Sequence, residues 1–435
     1  MLMIDLIRAK RDGKAHAPGE IKSMVQAYTQ GDIPDYQMAA WCMAVYFKGL
    51  NPAEQSELTM AMAYSGETLD LSPISGIKVD KHSTGGVGDK TTLILAPLVA
   101  AAGLPVVKMS GRALGHTGGT IDKLESIPGF RTAFDLGEII RQVKETGLAL
   151  AGQTGHLVPA DKKLYALRDA TGAVESIPLI ASSVMSKKIA AGADAVVLDV
   201  KAGNGAFVKT AGEAEFLARS MVEIGRHVGK KTVALITGMD QPLGCAVGNA
   251  LEVKEAIRAL QGSCPADLEE LCMILGCHML LLGERCKTMS EAEKILRGSW
   301  KDGQALAKFQ QLVTAQGGPA DLCCDPDKYL PRAAKVDKVK SPRDGYIAGI
   351  DTYSLGLAAG KLGAGRTEIG AAVFPDVGLI VRKKTGDKVC RNECLCELHA
   401  RDGRVAEMVR ITVREAFSVS DKPVCAQKLL KGIII

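Results

Sequence analysis

Between residues 77 and 236 short β-branched runs alternate with segments of helical spacing, and this alternation restricts the fold more than any other feature. The runs fall at residues 77–79, 105–109, 148–151, 195–200 and 232–236. Strand–helix alternation predicts an α/β protein with a mostly parallel sheet and covering helices. Ligands of such sheets bind beyond the carboxyl ends of the strands, so chemistry is expected in the loops after these runs. Residues 1–67 lack the alternation. There Ile21, Met24, Val25 and Tyr28 recur at helical spacing, and Pro18, Pro34 and Pro52 each stand where a helix can begin. Residues 159–191 also read as two helices with no strand between them. This groups residues 1–67 with 160–191 in a helical unit and 68–159 with 192–318 in the α/β unit. Over residues 319–435, Gly345, Gly349, Gly356, Gly360, Gly363 and Gly365 punctuate short β-like runs. Residues 377–389 read as strand, turn, strand, and a third, α+β unit with a structural role is expected.

Charge and composition exclude several function classes. The 54 basic and 49 acidic residues leave a net charge of +5, with no basic block or interleaved aromatic stripe, so nucleic acid is not an expected partner. The longest apolar stretch, residues 91–107, is interrupted by Pro97, Gly103 and Pro105. It falls short of the ~20 uninterrupted residues of a membrane span. Asp5 and Arg8 among the first apolar residues do not match a signal peptide. The twelve cysteines are scattered along a long chain, which reads as free thiols in a reducing cytoplasm. Cys390, Cys394, Cys396 and His399 crowd together without a Cys-x₂-Cys pair, a poor match to zinc spacing.

Two loops carry the chemical signal. The first is Lys81-His-Ser-Thr-Gly-Gly-Val-Gly-Asp-Lys-Thr-Thr92, between a strand and an apolar helical run. Gly85, Gly86 and Gly88 let backbone N–H groups close around an anion, and the following helix points its positive end there. Lys81, Ser83 and Thr92 add a charge and two hydroxyl donors. A plain tight turn is the alternative reading. No Gly-Lys-Ser/Thr follows four variable residues, so it is not a Walker loop. The second is Ser110-Gly-Arg-Ala-Leu-Gly-His-Thr-Gly-Gly-Thr120, whose Thr117-Gly-Gly119 repeats Thr84-Gly-Gly86. Two such loops at neighbouring strand ends can grip one phosphate from two sides, with Ser110 and Thr120 as donors. Asp122 and Glu125 are read as complementing the N-terminus of the next helix.

Together these residues resemble the thymidine and pyrimidine-nucleoside phosphorylase family, most closely its Bacillus-type members. Residues 110–125, ending in Ile-Asp-Lys-Leu-Glu125, match its long signature and Lys81-His-Ser-Thr-Gly-Gly86 its phosphate loop. The likeness continues through residues 160–169, 182–188 and 248–256 and covers the whole chain. It implies a helical dimerisation domain, an α/β phosphate domain and a C-terminal α+β domain around a cleft. It also implies reversible phosphorolysis of uridine, thymidine and deoxyuridine to free base and pentose 1-phosphate by a cytoplasmic homodimer, with no organic cofactor. A thymidine-specific phosphorylase is one alternative. A magnesium-dependent phosphoribosyltransferase of the anthranilate type, similar in fold, is another.

The resemblance also assigns residues. Phosphate is expected at Lys81, Ser83, Thr92, Lys108, Ser110 and Thr120. The pyrimidine is expected at Arg168, Ser183 and Lys187, of which the last two, four apart, share a helix face. Arginine and lysine can donate to the base carbonyls O2 and O4, and serine can donate or accept. A solvated basic helix face is the alternative for these three. His82 is expected to donate to O2 as the glycosidic bond breaks, although a lone histidine can equally cap a helix or bond a carbonyl. Bacillus-type members hold a potassium-like ion, which implies the carbonyls of Gly88, Lys90, Leu243 and Ala246 with the Glu255 carboxylate as ligands. Lys90 stands where threonine is expected, and an added ammonium disfavours a cation there; if its side chain points to solvent, the carbonyl ligand survives.

Overall fold

The computed structural model describes residues 2–112, 115–152, 156–366 and 372–435. Ala113 and Leu114 of the second glycine loop lie outside the described residues. No described helix is long and apolar enough to cross a membrane.

The N-terminal segment folds as the helices Met3–Arg11, Glu20–Gln30, Asp35–Lys48 and Pro52–Ala63. Pro34 caps the third, and Pro52 opens the fourth, where its missing N–H leaves nothing unpaired. Asn51 and Glu54 close a reciprocal capping box at 2.9 Å in each direction. Buried Tyr28, Trp41 and Leu58 form a core that also takes in Leu157, Val158, Ala160, Leu164 and Leu179. The helices Pro159–Thr171 and Ile177–Ala190 therefore pack with residues distant in sequence.

The strands in chain order are β1 (Val79–Ser83), β2 (Val106–Ser110), β3 (Leu148–Gly152), β4 (Ala195–Ala202), β5 (Lys231–Gly238) and β6 (Ala246–Val247). They continue as β7 (Lys335–Lys340), β8 (Gly345–Ile350), β9 (Gly378–Val381), β10 (Lys388–Val389), β11 (Cys394–Ala400), β12 (Phe417–Ser420) and β13 (Leu430–Ile434). β1, β4 and β5 are parallel, while β2 and β3 form a separate parallel pair. The expected parallel architecture is present but divided between two hydrogen-bonded sheets. Thr91–Ala101, buried along most of its length, packs with Ala266–Leu282 and Gln304–Ala315 in the main apolar core.

Three details sharpen or correct the sequence reading. β1 lies at residues 79–83 rather than 77–79, so Lys81, His82 and Ser83 stand on the strand itself. Its polar residues concealed it, because parallel pairing with β4 needs only backbone. Residues 377–389 form strand, turn and strand as expected, but the two strands do not pair with each other: β9 pairs with β11 and β6, whereas β10 pairs with β8. Finally, β13 hydrogen-bonds antiparallel to β5, so the chain's last strand closes the edge of the central sheet.

The β2–β3 pair is completed by a side chain. Fully buried Gln316 donates from Nε2 to the carbonyls of Leu150 and Arg131, both at 2.8 Å, and accepts from the Leu150 N–H at 3.0 Å. An amide thus supplies both bonds that a neighbouring strand would. Gln316→Leu leaves the Leu150 backbone unpaired, at a cost of about 1–3 kcal/mol for each buried group. Denaturant unfolding should show a loss of about 2–5 kcal/mol; a loss below about 0.5 kcal/mol would contradict this role for Gln316.

Candidate active site

The carboxyl ends of β1 and β2 face the helix Ile177–Ala190 across a cleft of about 310 Å³. Its walls include all ten residues expected to bind phosphate and base or to catalyse: Lys81, His82, Ser83, Thr92, Lys108, Ser110, Thr120, Arg168, Ser183 and Lys187. They come from four stretches of chain. The strand ends supply the first set, the following helices start at Thr91 and Thr120, and the helices of the N-terminal bundle supply the rest. Tyr165, Val184, Ile180 and Phe207 give the cleft an apolar side.

Buried ions fix the floor of the cleft. Asp80 on β1 accepts from Lys108 on β2 at 3.1 Å and from Lys188 at 2.7 Å. Lys108 also donates to the Lys81 carbonyl at 2.7 Å. One carboxylate between two ammoniums leaves a positive charge uncompensated. Burial would raise Asp80, but Lys108 and Lys188 hold it below the ordinary carboxylate range. Burial also weakens Lys108, and with Lys188 and Lys81 it outweighs Asp80 and draws the ammonium down to about 7. Lys81 donates to Thr91 Oγ1 at 2.5 Å and lies 3.4 Å from Asp199 and 3.8 Å from Asp89. Asp199 is shared with Lys201 at 2.8 Å. Against the effect of burial, Asp89 and Asp199 hold Lys81 above its ordinary value.

The hydroxyls bear on anion binding in different ways. Ser110 Oγ is buried without a hydrogen-bond partner, which costs free energy unless a ligand supplies one. Ser83 Oγ accepts from the Gly85 N–H at 3.2 Å, and its hydroxyl hydrogen-bonds the Asp89 carboxylate. Gly85 and Gly88 have φ values of 98° and 74°, a conformation that favours glycine.

At the other end, Lys187 donates to Ser183 Oγ at 3.2 Å and pairs with Asp161 at 2.6 Å. Arg168 is buried and donates to the carbonyls of Ala173, Val174 and Leu179 at 3.1, 2.6 and 3.3 Å. Three of its five N–H groups are thereby used, and two remain. The solvated basic helix face is thus ruled out for Arg168 and Ser183, which are 2% and 5% exposed.

Sequence reasoning missed Asp80, Asp161, Asp199 and Lys188. A signal was present in Asp80 and Asp199, carboxylates inside strands, since such groups are seldom buried without a cation. Asp122 stands in the first turn of the helix Thr120–Leu124, as expected, and also pairs with Arg112 and Arg366 at 3.3 and 2.9 Å. Glu125 needs correction: it lies at the C-terminal end of that helix and bonds Arg112 and the Thr132 hydroxyl. Among the described residues no group of three or more His, Cys, Asp or Glu is arranged to hold a metal. Cys390 is exposed while Cys396 is buried.

The residues expected around a monovalent cation do converge, but on an ammonium. Lys90 turns inward, and its Nζ donates to the carbonyls of Leu243 and Ala246 at 2.8 and 2.9 Å and to Glu255 at 2.5 Å. The Gly88 carbonyl accepts from the Lys90 N–H at 2.9 Å. The condition for a carbonyl-lined cation site, a solvent-facing Lys90, is not met, because an inward side chain finds three acceptors there.

His82 keeps an edge open to the cleft but is otherwise enclosed by protein. Burial, reinforced by the ammoniums of Lys188, Lys108, Lys187 and Lys81, holds it well below its ordinary value. The sign follows: the unfolded chain takes up a proton below about pH 6.5 that this folded site refuses, so the group destabilises the fold as pH falls. In phosphate-free protein, His82 ring signals in a labelled NMR titration should stay neutral between about pH 7.5 and 5.5. A midpoint near 6.5 would contradict the electrostatics of the cleft.

Comparison with known proteins agrees with the geometry. Residues 4–66 match the helical bundle domain of the glycosyl transferase family and residues 75–306 its a/b domain. Residues 346–420 match the pyrimidine nucleoside phosphorylase C-terminal domain. The chain is 54% identical over 430 residues to the pyrimidine-nucleoside phosphorylase of Geobacillus stearothermophilus, spanning 99% of each. It is 54% identical over 409 residues to that of Bacillus subtilis, spanning 94% of each. An anthranilate phosphoribosyltransferase from Thermus thermophilus shares the fold at a TM-score of 0.58 and 18% identity, over 72% of this chain and 99% of that one. On full-length similarity the chain belongs to the pyrimidine-nucleoside phosphorylase family.

Proposed function

We propose that this chain catalyses the reversible phosphorolysis of pyrimidine nucleosides (uridine, thymidine and deoxyuridine) to free base and pentose 1-phosphate, as a cytoplasmic salvage enzyme. The observation that carries the reading is one cleft with an anion-binding floor at one end and donors for a dione at the other. In this reading the sugar bridges the two within the same cleft of about 310 Å³. Phosphate rests among Lys81, Ser83, Thr92, Lys108, Ser110 and Thr120, with Ser110 Oγ gaining the partner it lacks. Arg168, Ser183 and Lys187 hold the base edge.

Phosphate attacks the anomeric carbon while the ring passes through an oxocarbenium-like state, and no covalent enzyme intermediate forms. Charge developing on the pyrimidine O2 is met by an N–H of His82. The bare cleft keeps His82 neutral. A bound dianion offsets the surrounding ammoniums and favours its protonated form, so phosphate prepares the acid it then needs. Holding both reactants in one orientation supplies much of the remaining acceleration. Discrimination of uridine from thymidine is expected to be weak, because a pocket that merely tolerates a hydroxyl rejects it poorly.

A homodimer through the helical unit is part of the proposal. It is supported by large apolar side chains that the bundle leaves exposed, among them Leu2, Tyr36, Phe47 and Tyr64 at 68%, 75%, 74% and 62%.

Base release from uridine and thymidine should require added phosphate. His82→Ala should lower kcat by about 10²–10⁴ while leaving the Kd for phosphate within about threefold. Equal release with and without phosphate, or no release at all, would contradict the activity. An unchanged kcat would contradict the role of His82.

A further inference from the structure

The inward-facing Lys90 has a consequence for ion dependence. Its ammonium carries three N–H donors, and each has one acceptor: the carbonyl of Leu243, the carbonyl of Ala246 and a carboxylate oxygen of Glu255. The same Glu255 carboxylate accepts the backbone N–H groups of Cys245 and Ala246 at 2.9 and 3.0 Å. Space around the nitrogen is closed by glycines. A Cβ on Gly244 would lie 2.9 Å from Lys90 Nζ, and one on Gly88 would lie 2.7 Å from the Leu243 carbonyl oxygen. The site therefore has the oxygen donors and single positive charge of a monovalent-cation cage, with the charge on the chain itself. A free cation does not fit beside it: every donor direction is taken, and a like charge would face the buried ammonium.

We infer that Lys90 is a positioning residue that acts as a covalently tethered monovalent cation, making this phosphorylase independent of potassium. The ammonium ties the phosphate loop, through residue 90, to the segment around residues 243–246 and to the helix Asn249–Leu260. β6 of that segment pairs with β9 of the C-terminal unit. The charge thus joins the glycine loop after β1 to a segment that pairs with the C-terminal unit, a task that a dissociable ion would perform only at sufficient concentration.

The corollary is that removing the ammonium leaves a cavity lined by two carbonyls and a carboxylate, which a free monovalent cation can occupy. In Lys90→Thr, stability and phosphate use should therefore become dependent on the salt cation.

The test compares potassium chloride with tetramethylammonium chloride, each at about 0.1 M so that screening is equal. For the wild-type protein, Tm and kcat/KM for phosphate should be the same in both salts. For Lys90→Thr in tetramethylammonium, kcat/KM for phosphate should fall about tenfold or more and Tm by about 2 °C or more, with potassium restoring both. Two results would overturn the inference: a wild-type Tm or kcat/KM that falls when potassium is withdrawn, or a Lys90→Thr protein as indifferent to the cation as the wild type. The wild-type arm stands if Lys90→Thr fails to fold. The inference rests on the proposed phosphorolysis only for its kinetic readout. The Tm readout needs no turnover, so a failure of the inference is distinguishable from a failure of the proposed activity.

Discussion

The carboxylate of Asp80, shared between Lys108 and Lys188, is the interaction on which the rest of the site depends. β1 and β2 belong to different hydrogen-bonded sheets, so no ladder holds their ends together. Lys108 joins them by donating to both Asp80 and the Lys81 carbonyl. Lys188 brings in the helix that also carries Ser183 and Lys187. One buried anion thus sets the distance between the ends of β1 and β2 and the helix proposed to hold the base. Removing one partner of such a buried group typically costs about 3–5 kcal/mol, so the arrangement is rigid as well as charged.

That rigidity has an electrostatic purpose. Two ammoniums on one carboxylate are poorly compensated in a buried place, and the strain shows in Lys108 drawn down to about 7 and in His82 held neutral. In the proposed mechanism a phosphate dianion relieves both. Binding energy and acid strength then come from the same charges, which suits a reaction whose nucleophile is also the ligand that charges the acid. The Lys90 cage applies the same economy to structure, as a fixed cation bonded to the donors that a mobile one would need.

Much of this was legible in the sequence because glycines and charges near strand ends leave local marks. The two Thr-Gly-Gly loops, the i, i+4 pair Ser183 and Lys187 and the prolines before the helices needed no knowledge of distant contacts. What was hidden depended on such contacts. β1 reads Val-Asp-Lys-His-Ser and has no apolar pattern, since its place is fixed by pairing with β4. The partners of β9, β10 and β13 lie in other parts of the chain. The direction of the Lys90 side chain was undetermined for the same reason: its three acceptors are more than 150 residues away in sequence.

The central claim is that the cleft stores under-compensated positive charge that a phosphate dianion completes. Calorimetry of phosphate binding in buffers of different ionisation enthalpy tests it most directly, because the heat reports protons exchanged. At about pH 8 a share of Lys108 is deprotonated in the empty cleft, and His82 is neutral. The dianion raises both, so binding should take up a fraction of a proton to about one proton per site. Phosphate binding with no proton uptake at that pH would contradict the account.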